Sequence, residues 1–476
     1  MKWLRKYLSI FFCGKERVRP FHLNGAFCGG QFGKRNKMNN LKLNATKIVK
    51  ILQDAGHEAV FAGGCVRDML LEIEPHDFDI ATSALPDQVE SLFKNTKAVG
   101  KAFGVILVRL DKIDFEVATF RSDGNYSDGR RPDSVSFTTM ENDSDRRDFT
   151  VNSMFLDPIK EHLFDFNWGE RDIENKVIRF VGDEKTRIQE DNLRLLRAVR
   201  FAVKFDFNFD FFTFKNIKFH AHLVKNVSPE RIREELVKMF LINKPRRMME
   251  LLMSTGLMEH ILPEVKEMDM SLHNLKFHPE GDVLEHTIIV MEKLVGRPLE
   301  LQFAGLFHDI GKPSTMVMKE GQPTNHGHAE VGAEIAEEIM LRLKFSNKEI
   351  ELVKNLVGGH MKMNQVRHFK KSTIKRYLAL PYIEDLISLA VADAQASTGD
   401  MSQVDFIRDK LEEWEPEEIK PVPILTGKDL IGLGIKPGPI FKEILNEIET
   451  LQLEGIIVSV AEAIYHVMDI MKIKRG

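Results

Sequence analysis

The sequence predicts an α+β fold, in which a head of mixed strands and helices is followed by helical regions. Short apolar runs of strand type alternate with helical patterns up to about Phe180. From Asp183 onward strand signals almost vanish, and apolar residues recur at helical spacing. At 476 residues the chain is too long for one ordinary core, which indicates two to four domains.

Changes in these patterns divide the chain into five regions. For the basic, Gly- and Phe-containing N-terminal segment we expect disorder, or an upstream start codon with Met38 as the true first residue; a targeting peptide is a further alternative. The regions are the extension 1–40, the head 41–180, a helical neck 181–270, a further helical domain 271–410 and a helical tail 411–476.

The head opens with an amphipathic helix over Asn44–Gly56 and an apolar strand over His57–Ala62. A Gly-Gly turn and a short helix, Val66–Leu71, come next. Further strands are predicted at Asp79–Ala81, Lys97–Val99, Val105–Leu110 and Phe115–Phe120.

The neck begins with a predicted helix, Asn192–Lys204. A second neck helix starts at Ser228-Pro229-Glu230, with Ser as cap, Pro in the first turn and an acid on the helix dipole, and continues to Leu241. The remaining predictions are helices from His273 to Ala396, a proline-rich linker at Glu415–Pro423 and a final helical pair at Gly427–Leu433 and Ile440–Leu453.

Composition restricts the function classes. The net charge of −4 excludes a strongly basic nucleic-acid coat, although local basic stripes remain possible. Three cysteines without a C-x-x-C pair give neither a disulfide framework nor a zinc cage, so a reducing cytoplasm fits. No apolar run approaches the roughly 20 residues of a membrane span.

Gly63 and Gly64 follow a strand and open a helix. Backbone N–H groups at such a turn, together with the helix dipole, suit a triphosphate. Because Gly-Gly turns are common, this signal alone is weak. Arg67 and Asp68 follow directly.

Three carboxylates point to metal-assisted chemistry in the head. Asp77 and Asp79 lie two apart in an extended segment, so both project to one side while Phe78 turns into the core. Glu116 supplies a third acid from a second strand; Asp114 is less favoured because it begins that run. Two Mg²⁺ ions on such carboxylates suit nucleotidyl transfer to a 3′-hydroxyl. The alternative is an ordinary surface Asp-x-Asp turn.

Phe61-Ala-Gly-Gly-Cys-Val-Arg-Asp68 followed by Asp77-Phe-Asp79-Ile-Ala-Thr82 resembles the signature of CCA-adding enzymes and bacterial poly(A) polymerases. These proteins belong to the DNA-polymerase-beta nucleotidyltransferase superfamily. The resemblance extends over roughly 42–260 and implies a polymerase-beta-like head, addition of nucleotides to tRNA, and CTP and ATP as substrates. It also implies that Arg146–Asn152 lies by the ribose of the nucleotide, with Arg147, Asp148 and Asn152 as binding residues.

Glu190-Asp191-x-x-Arg194 matches the nucleotide-selecting motif of that family. Three residues apart on a predicted helix, Asp191 and Arg194 share one face, where Asp accepts and Arg donates hydrogen bonds. This pair accepts the base edge of C or A and rejects that of U or G. An Asp–Arg ion pair within the helix is the alternative. The next two arginines, Arg197 and Arg200, are further candidate nucleotide-binding residues.

The polar loop Arg121–Pro132 bears on the product. It resembles a loop that full CCA-adding members use to switch from C to A. An enzyme that adds only A and a poly(A) polymerase stay open as alternatives.

Imidazoles and carboxylates recur through the helical domain after the neck. Groups of this kind from several helices bind one or two transition metals that activate water. The set resembles the HD phosphohydrolase family, which implies phosphatase or 2′,3′-cyclic phosphodiesterase activity with Ni²⁺, Mn²⁺ or another transition metal. The candidate ligands are His286, His308, Asp309, His328, His360 and Asp393.

Two readings without transferase activity also stay open: an HD phosphodiesterase with an RNA-binding head, and an inactive RNA-binding regulator. The basic clusters Lys244–Arg247 and Arg367–Arg376 are candidate tRNA tracks, with ordinary surface charge as the alternative for each residue. We expect no membrane partner, and the sequence leaves the oligomeric state open.

Overall fold

The computed structural model describes residues 18–20, 32–124, 126, 132–269, 271, 282–320 and 322–473. The chain divides into two compact units. The first comprises residues 1–242 and 250–261, and the second comprises residues 243–249 and 262–476.

An eight-stranded mixed sheet forms the head in the first unit. The strands of the head are β1 Val18–Pro20, β2 Ala59–Ala62, β3 Ile80–Thr82, β4 Thr96–Gly100, β5 Val105–Leu110, β6 Ile113–Thr119, β7 Arg121–Asp123, β8 Val135–Phe137, β9 Phe155–Asp157 and β10 His162–Phe164. The strand order in the sheet is β1-β10-β9-β2-β3-β6-β5-β4, while β7 and β8 form a separate antiparallel pair. The head helices are α1 Phe32–Asp54, α2 Gly64–Leu70, α3 Pro86–Leu92, α4 Met140–Asp145 and α5 Gly169–Glu174.

Alternation along β6 explains how this sheet presents acids on one face. Phe115 and Val117 are almost fully buried, whereas Asp114 and Glu116, which alternate with them along the strand, are exposed. Strand β3 pairs with β6 in parallel, with Ile80 opposite Val117.

The predicted N-terminal extension differs from the structure at two places. Residues Val18–Pro20 form β1, paired with β10, and α1 begins at Phe32 rather than at Asn44. The rest of the extension, 1–17 and 21–31, lies outside the described residues.

The described part of the neck is mainly helical and contains one short strand, β12 Asn208–Phe209, which pairs in parallel with β11 Val177–Ile178 at the end of the head. Ser228 occupies the cap position of the predicted second neck helix, but its side chain makes no capping hydrogen bond. The helices between residues 184 and 266 are α6 Glu184–Glu190, α7 Arg194–Phe205, α8 Phe211–His220, α9 Pro229–Phe240, α10 Pro245–Ser254, α11 Met258–Ile261 and α12 Pro263–Lys266. Residues 245–249 of α10 and all of α12 belong to the second unit.

The prediction that Asp191 and Arg194 lie on one helix is wrong. Helix α6 ends at Glu190, and Asp191 is extended, with φ −144° and ψ 103°. The Asp191 carboxylate accepts a hydrogen bond from the backbone N–H of Leu193, and the Asn192 amide donates to the Ile188 carbonyl oxygen. Short polar side chains that bond the local backbone compete with the helix, so the Asp-Asn pair separates α6 from α7.

The second unit continues as helices, interrupted by a hairpin of β13 Val317–Lys319 and β14 Gln322–Thr324 that the sequence analysis missed. Its remaining helices are α13 Val283–Lys293, α14 Leu299–Phe307, α15 Lys312–Thr315, α16 His328–Arg342, α17 Asn347–Gly359, α18 Lys371–Leu378, α19 Ile383–Ala396, α20 Ser402–Glu413, α21 Pro416–Ile419, α22 Gly427–Gly432, α23 Pro439–Glu454 and α24 Val460–Ile473. Among the described helices, none has the length and apolar character needed to cross a membrane.

In the described part of the tail, a further helix, α24, follows the predicted final pair. Helix α24 contributes Ala463 and Val467 to a core that also contains Leu430, Ile444 and Ile448. The short helix α21 lies within the segment predicted as a linker.

Gly311 provides a test of packing in the second unit. A Cβ atom there would lie 2.2 Å from the His328 carbonyl oxygen and 2.7 Å from the Gly332 nitrogen, both backbone atoms that cannot yield cheaply. We expect Gly311→Ala to lower the free energy of unfolding by about 1–3 kcal/mol in chemical denaturation. Gly432→Ala is the matched control, because a Cβ at Gly432 meets nothing within 4 Å. Equal stability of the two variants would contradict this packing argument.

Candidate active sites

The Gly-Gly turn of the head lies against an arginine. Gly63 precedes α2 with φ +67°, a conformation that favours glycine. A Cβ atom at Gly63 would lie only 2.6 Å from Nη1 of Arg147, so the absence of a side chain lets the guanidinium approach the turn. The turn and the arginine together present a cationic surface to an anion.

The head carboxylates follow the predicted alternation. Asp77 and Asp79 are exposed, while Phe78 is buried and its ring centroid lies 4.9 Å from that of Phe61. Asp79 and Glu116 immediately precede the opposed pair of β3 and β6, so they lie on neighbouring strands. The structure therefore brings the three acids to one part of the sheet.

The charges of these acids act on one another. Partial loss of hydration, together with the charges of Asp77 and Glu116, raises the pKa of Asp79 to about 6, while Arg147 opposes the shift. Asp79 as a residue nevertheless remains exposed at the surface. Repelling carboxylates of this kind gain stability from a cation between them, and oxygen ligands suit Mg²⁺. The donor set therefore fits the metal expected from the sequence.

One cleft of about 840 Å³ collects almost all of the predicted head residues. Its lining includes eight Lys or Arg residues and five Asp residues, so the cleft carries an excess of positive charge suited to a triphosphate. Glu116 is not part of the lining. The predicted residues in the lining are Gly63, Gly64, Arg67, Asp77, Asp79, Arg147, Asp148, Asn152, Asp191, Arg194, Arg197 and Arg200.

A buried acid that the sequence analysis missed holds both arginines of the Arg146-Arg147 pair. Asp143 is 1% exposed; one of its carboxylate oxygens accepts from Nη2 of Arg146 at 2.7 Å and the other from Nη2 of Arg147 at 3.0 Å. Asp143 also accepts the backbone N–H of Arg121. Its spacing of three and four residues from the two arginines was the available signal.

Asp148 joins the same segment to the neck. Its carboxylate accepts from Nε of Arg197 at 3.0 Å and from the Asn152 amide at 3.0 Å, and Asn152 in turn accepts from Arg67. Burial alone would raise the pKa of Asp148, but the charge of Arg197 and these hydrogen bonds lower it to about 2. Asp148 is therefore ionised at neutral pH.

The two residues predicted to select the base, Asp191 and Arg194, have separate partners. Both oxygens of Asp191 accept from the guanidinium of Arg231 on α9, at 3.1 and 2.7 Å. Arg194 instead pairs with Glu190, at 2.5 Å, and donates to the Arg146 carbonyl oxygen at 3.2 Å. Instead of the ion pair between Asp191 and Arg194 that was the alternative within one helix, each residue pairs with another side chain: Asp191 with Arg231, and Arg194 with Glu190. Arg231 was missed because no local spacing connects it to Asp191.

Arg200 and Arg197 flank an aromatic ring that also lines the cleft. The Arg200 guanidinium lies 4.2 Å from the ring centroid of Phe201, and that of Arg197 lies 5.4 Å from it. Arg200 also donates to the buried carboxylate of Glu235 at 2.5 Å. The donors of both arginines are therefore partly occupied by protein groups.

Half of the loop Arg121–Pro132 falls outside the described residues, which omit 125 and 127–131. Within the described part, the Tyr126 hydroxyl donates to Asp123 at 2.7 Å, and Asp123 also pairs with Arg121 at 3.0 Å. Asp123 lies 3.6 Å from Arg146, so the base of the loop contacts the segment beside the cleft.

A second candidate site lies in the second unit, where six predicted ligands from five helical segments converge. Asp309 stands between two histidine pairs: His286 and His308 on the side of one oxygen, His328 and His360 on the side of the other. Within each pair the two Nε2 atoms are 3.3 Å apart. Each pair with Asp309 brings three possible ligand atoms within 4.8 Å of one another. Asp393 approaches His286 at 3.1 Å.

Hydrogen bonds orient three of these histidines. The Nδ1 atoms of His308, His328 and His360 lie 2.9, 2.7 and 2.6 Å from backbone carbonyl oxygens. A proton on each Nδ1 leaves the Nε2 lone pair facing inward, so the Nε2 atoms of His328 and His360 face each other as two acceptors. This arrangement fits a metal ion, and a backbone partner on the far nitrogen is typical of metal-ligating histidine.

The charge states also fit a metal centre. Burial, followed by the charge of His308, lowers the pKa of His360 to about 4, which keeps the imidazole neutral. Burial alone would raise the pKa of Asp309, but Lys312 and His308 hold it well below its ordinary value. An adjoining cleft of about 560 Å³ is lined in part by Asp309, His328, His360 and Asp393, so the centre is reachable from the surface.

The basic clusters are partly engaged in ion pairs of the second unit. Arg246 pairs with Glu285 and Glu292, both at 2.9 Å, and Arg376 pairs with Glu449 at 2.8 Å. These two arginines therefore offer less charge to an RNA backbone than the sequence indicates.

Comparisons with known proteins match the same regions. The family model described as "Poly A polymerase head domain" matches residues 59–179. The model described as "Probable RNA and SrmB-binding site of polymerase A" matches residues 206–269, and the model described as "HD domain" matches residues 283–397.

Several curated proteins are similar over much of the chain. The CCA-adding enzyme of Ligilactobacillus salivarius is 30% identical over 417 residues, which covers 87% of this chain and 93% of that protein. That of Bacillus pumilus is 35% identical over 366 residues, covering 75% and 87%. That of Lactobacillus helveticus is 38% identical over 266 residues, covering 55% and 66%.

Solved structures of CCA-adding enzymes are also similar to this chain. The Bacillus stearothermophilus CCA-adding enzyme in complex with CTP has a TM-score of 0.67 and 26% identity, covering 90% of this chain and 97% of that chain. The Thermotoga maritima CCA-adding enzyme complexed with tRNA-CCA has a TM-score of 0.58 at 18% identity, covering 96% and 100%, which is a likeness of fold.

The histidine cluster predicts the metal content of the protein. We expect up to two transition-metal ions per chain in the second unit, and Asp309→Asn to lose both because its carboxylate serves both histidine pairs. His360→Gln should lose one. Metal analysis after dialysis against Mn²⁺ or Ni²⁺ measures this directly. His326→Gln is the control, because His326 lines the same cleft outside the cluster. Full metal content in Asp309→Asn would contradict the shared-ligand geometry.

Proposed function

We propose that this chain, which belongs to the family of CCA-adding enzymes, adds CMP and AMP from CTP and ATP to the 3′ end of tRNA without a nucleic-acid template. The single observation that carries this proposal is the basic cleft, in which a glycine turn, two of the three carboxylates and the base-selecting pair lie together. The similarity to a relative solved with CTP supports the nucleotide.

The protein groups divide the work of binding. Arg147 and the Gly63 turn face the anionic part of the nucleotide, and the network of Arg67, Asn152 and Asp148 fixes the segment beside the ribose. Asp77, Asp79 and Glu116 would hold divalent cations, which supply charge neutralisation of the triphosphate and activation of the attacking 3′-hydroxyl. The protein contributes orientation and a preorganised field.

Asp191 and Arg194 select the base by its hydrogen-bond pattern. Cytosine and adenine both present an amino donor beside a ring-nitrogen acceptor, while uracil and guanine present the reverse order. A carboxylate offers about four lone-pair sites; Arg231 occupies two and the Leu193 backbone N–H a third, so Asp191 keeps one acceptor for the amino group. A wrong base would leave a polar group unpaired at a cost of about 1–3 kcal/mol.

Incorporation of labelled CTP and ATP tests the reaction, with tRNA ending before C, after one C and after CC. We expect growth to CCA followed by arrest. Addition of A only to the CC end would indicate an A-adding enzyme, and unlimited A addition would indicate a poly(A) polymerase. No incorporation into any of the three substrates would contradict the proposal.

Asp77→Ala should lower nucleotide addition by at least about 10²-fold, because metal-based charge stabilisation supplies several kcal/mol. Asp114→Ala is the matched control: Asp114 lies on the same strand as Glu116 but pairs with Arg109 at 2.5 Å. Loss of activity in Asp114→Ala with retention in Glu116→Ala would reverse the assignment of the third acid.

Arg231→Lys should reduce discrimination rather than addition itself. Lysine keeps the charge but cannot reproduce the two parallel hydrogen bonds that hold Asp191. We expect the ratio of kcat/KM for CTP over UTP to fall about tenfold, corresponding to about 1.4 kcal/mol. Arg233→Lys on the same helix is the control, because the hydrogen bonds to the Asp191 carboxylate come from Arg231 and the Leu193 backbone N–H. An unchanged ratio would show that Arg231 does not position Asp191.

We further propose that the second unit hydrolyses phosphate esters, including 2′,3′-cyclic phosphates. This activity would trim the 3′ ends of tRNA before nucleotides are added. The converging histidines and carboxylates support this activity, and the HD family match covers them. Transition-metal ions held by these residues would activate water for the attack.

Incubation of the purified protein with 2′,3′-cAMP and Ni²⁺ or Mn²⁺ should release adenosine monophosphate. Asp309→Asn should lose this activity and keep nucleotide addition, whereas Asp77→Ala should show the opposite pattern. No hydrolysis with any metal would leave the cluster as a structural metal site that helps to position tRNA.

A further inference from the structure

Helix α8 of the neck has apolar side chains on both of its sides, although one side faces solvent. Ile217 is fully buried. On the opposite side Phe211 and Phe212 are each 62% exposed, and Phe219 is 76% exposed. A helix with apolar residues all round is normally buried all round, and neighbouring exposed rings on a protein surface mark a site of interaction.

The three exposed rings share one face of α8 with two lysines. Because successive residues of an α-helix are turned by about 100°, Phe211, Phe212, Lys215, Lys218 and Phe219 fall within about 120° of the helix circumference. All five side chains are exposed. We call these five residues the aromatic-lysine face. Nζ of Lys215 lies 4.8 Å from the ring centroid of Phe211, so cations and rings alternate on this surface.

The charge of the aromatic-lysine face is positive. Residues 211–226 contain three lysines and neither Asp nor Glu. The acid that precedes them, Asp210, caps α8 and pairs with Arg179 at 2.8 Å. Within the described part of the chain, neither Lys215 nor Lys218 forms an ion pair. The face therefore attracts an anionic partner.

Alternating rings and lysines suit an unpaired RNA strand. Unpaired bases stack on aromatic rings while lysines neutralise the neighbouring phosphates. The rings of Phe211 and Phe212 are 5.4 Å apart and their planes differ by 78°. A flexible strand can turn its bases to follow such rings, whereas the parallel, stacked bases of a duplex cannot. A second copy of the chain fits less well, because a two-fold axis would bring lysines against lysines.

From these observations we infer that the aromatic-lysine face binds single-stranded RNA by base stacking. None of its five residues lines the basic cleft, so it is a separate surface of the first unit. The inference rests on the proposed function for the choice of RNA as the anion, and the family match over residues 206–269 includes α8. The unpaired 3′ end of a tRNA and any other unpaired RNA present the same chemistry.

Fluorescence anisotropy of a labelled oligouridine of about 12 nucleotides, titrated with the full-length protein, tests this inference. We expect the oligouridine to bind. If the natural occupant is the tRNA end, a tRNA with its unpaired 3′ nucleotides displaces the oligouridine better than a tRNA cut back to its last base pair. Equal displacement assigns the face to other unpaired RNA.

Replacement of the rings locates the binding. The triple change Phe211→Leu, Phe212→Leu and Phe219→Leu keeps apolar side chains but removes every ring of the face. It should weaken oligouridine binding at least about tenfold and leave the affinity for an RNA duplex unchanged. Phe103→Leu is the control, because Phe103 is an exposed ring outside α8. Thermal unfolding verifies that each variant folds.

Replacement of the lysines tests the charge. Lys215→Gln with Lys218→Gln should weaken oligouridine binding at least about fivefold and make it less sensitive to salt, because fewer phosphates are neutralised. Lys215→Arg with Lys218→Arg keeps both charges and should bind as the wild type does.

The inference is overturned if the wild type does not bind oligouridine, or if the triple leucine variant binds it as tightly as the wild type. Binding to phosphatidylserine vesicles that the glutamine changes abolish, with oligouridine affinity unchanged, would assign the face to a membrane surface and overturn it too. Self-association that the leucine changes abolish, again with oligouridine affinity unchanged, would assign the face to a second copy and overturn it likewise.

Failure of this inference and failure of the proposed function are distinguishable. CCA addition to tRNA without oligouridine binding would overturn the inference alone, because the substituted residues lie outside the basic cleft. Oligouridine binding that depends on the rings, without nucleotide addition to any tRNA, would overturn the proposed transferase function alone.

Discussion

The ionised carboxylate of Asp148 is the interaction on which the nucleotide cleft depends. It accepts the backbone N–H of its neighbour Phe149, the amide of Asn152 and the guanidinium of Arg197. The first two partners belong to the head and the third to a neck helix, so one buried charge orders both walls of the cleft. Because burial disfavours an unpaired carboxylate, loss of any partner would disturb the others.

The two candidate sites of the chain manage charge in opposite ways. In the head, three acids remain at the surface and repel one another, so the attraction for a hard cation comes from accumulated negative charge. In the second unit the ligands are buried, and backbone carbonyl oxygens orient the imidazoles, which suits a softer transition metal. The donor types of the two sites therefore suit different classes of metal ion.

Much of the fold and of both sites could be predicted from local sequence. Periodicity gave β5 its observed bounds, Val105–Leu110, and alternation placed Asp77 and Asp79 on the exposed side of Phe78. Ordered motifs identified twelve residues that line one cleft. These signals succeed because each depends on a few neighbouring residues and on the fixed geometry of strands and turns.

The missed features depend on contacts between distant segments or on competition within a short one. Arg231 reaches Asp191 across 40 residues, which no local pattern encodes. The break after Glu190 depends on hydrogen bonds between the side chains of Asp191 and Asn192 and nearby backbone groups. The spacing of apolar residues, from which a helix is predicted, contains no information about these bonds.

The break between α6 and α7 bears on the proposed selection of the base. In a nucleic-acid template the reading groups are bound covalently in one register, whereas here Asp191 and Arg194 are held by Arg231 and Glu190 from separate helices. Under the proposed base selection, the information that specifies C and A is stored in tertiary structure and shares its thermal stability. Warming that loosens the contacts of Asp191 and Arg194 would then lower the selectivity for C and A.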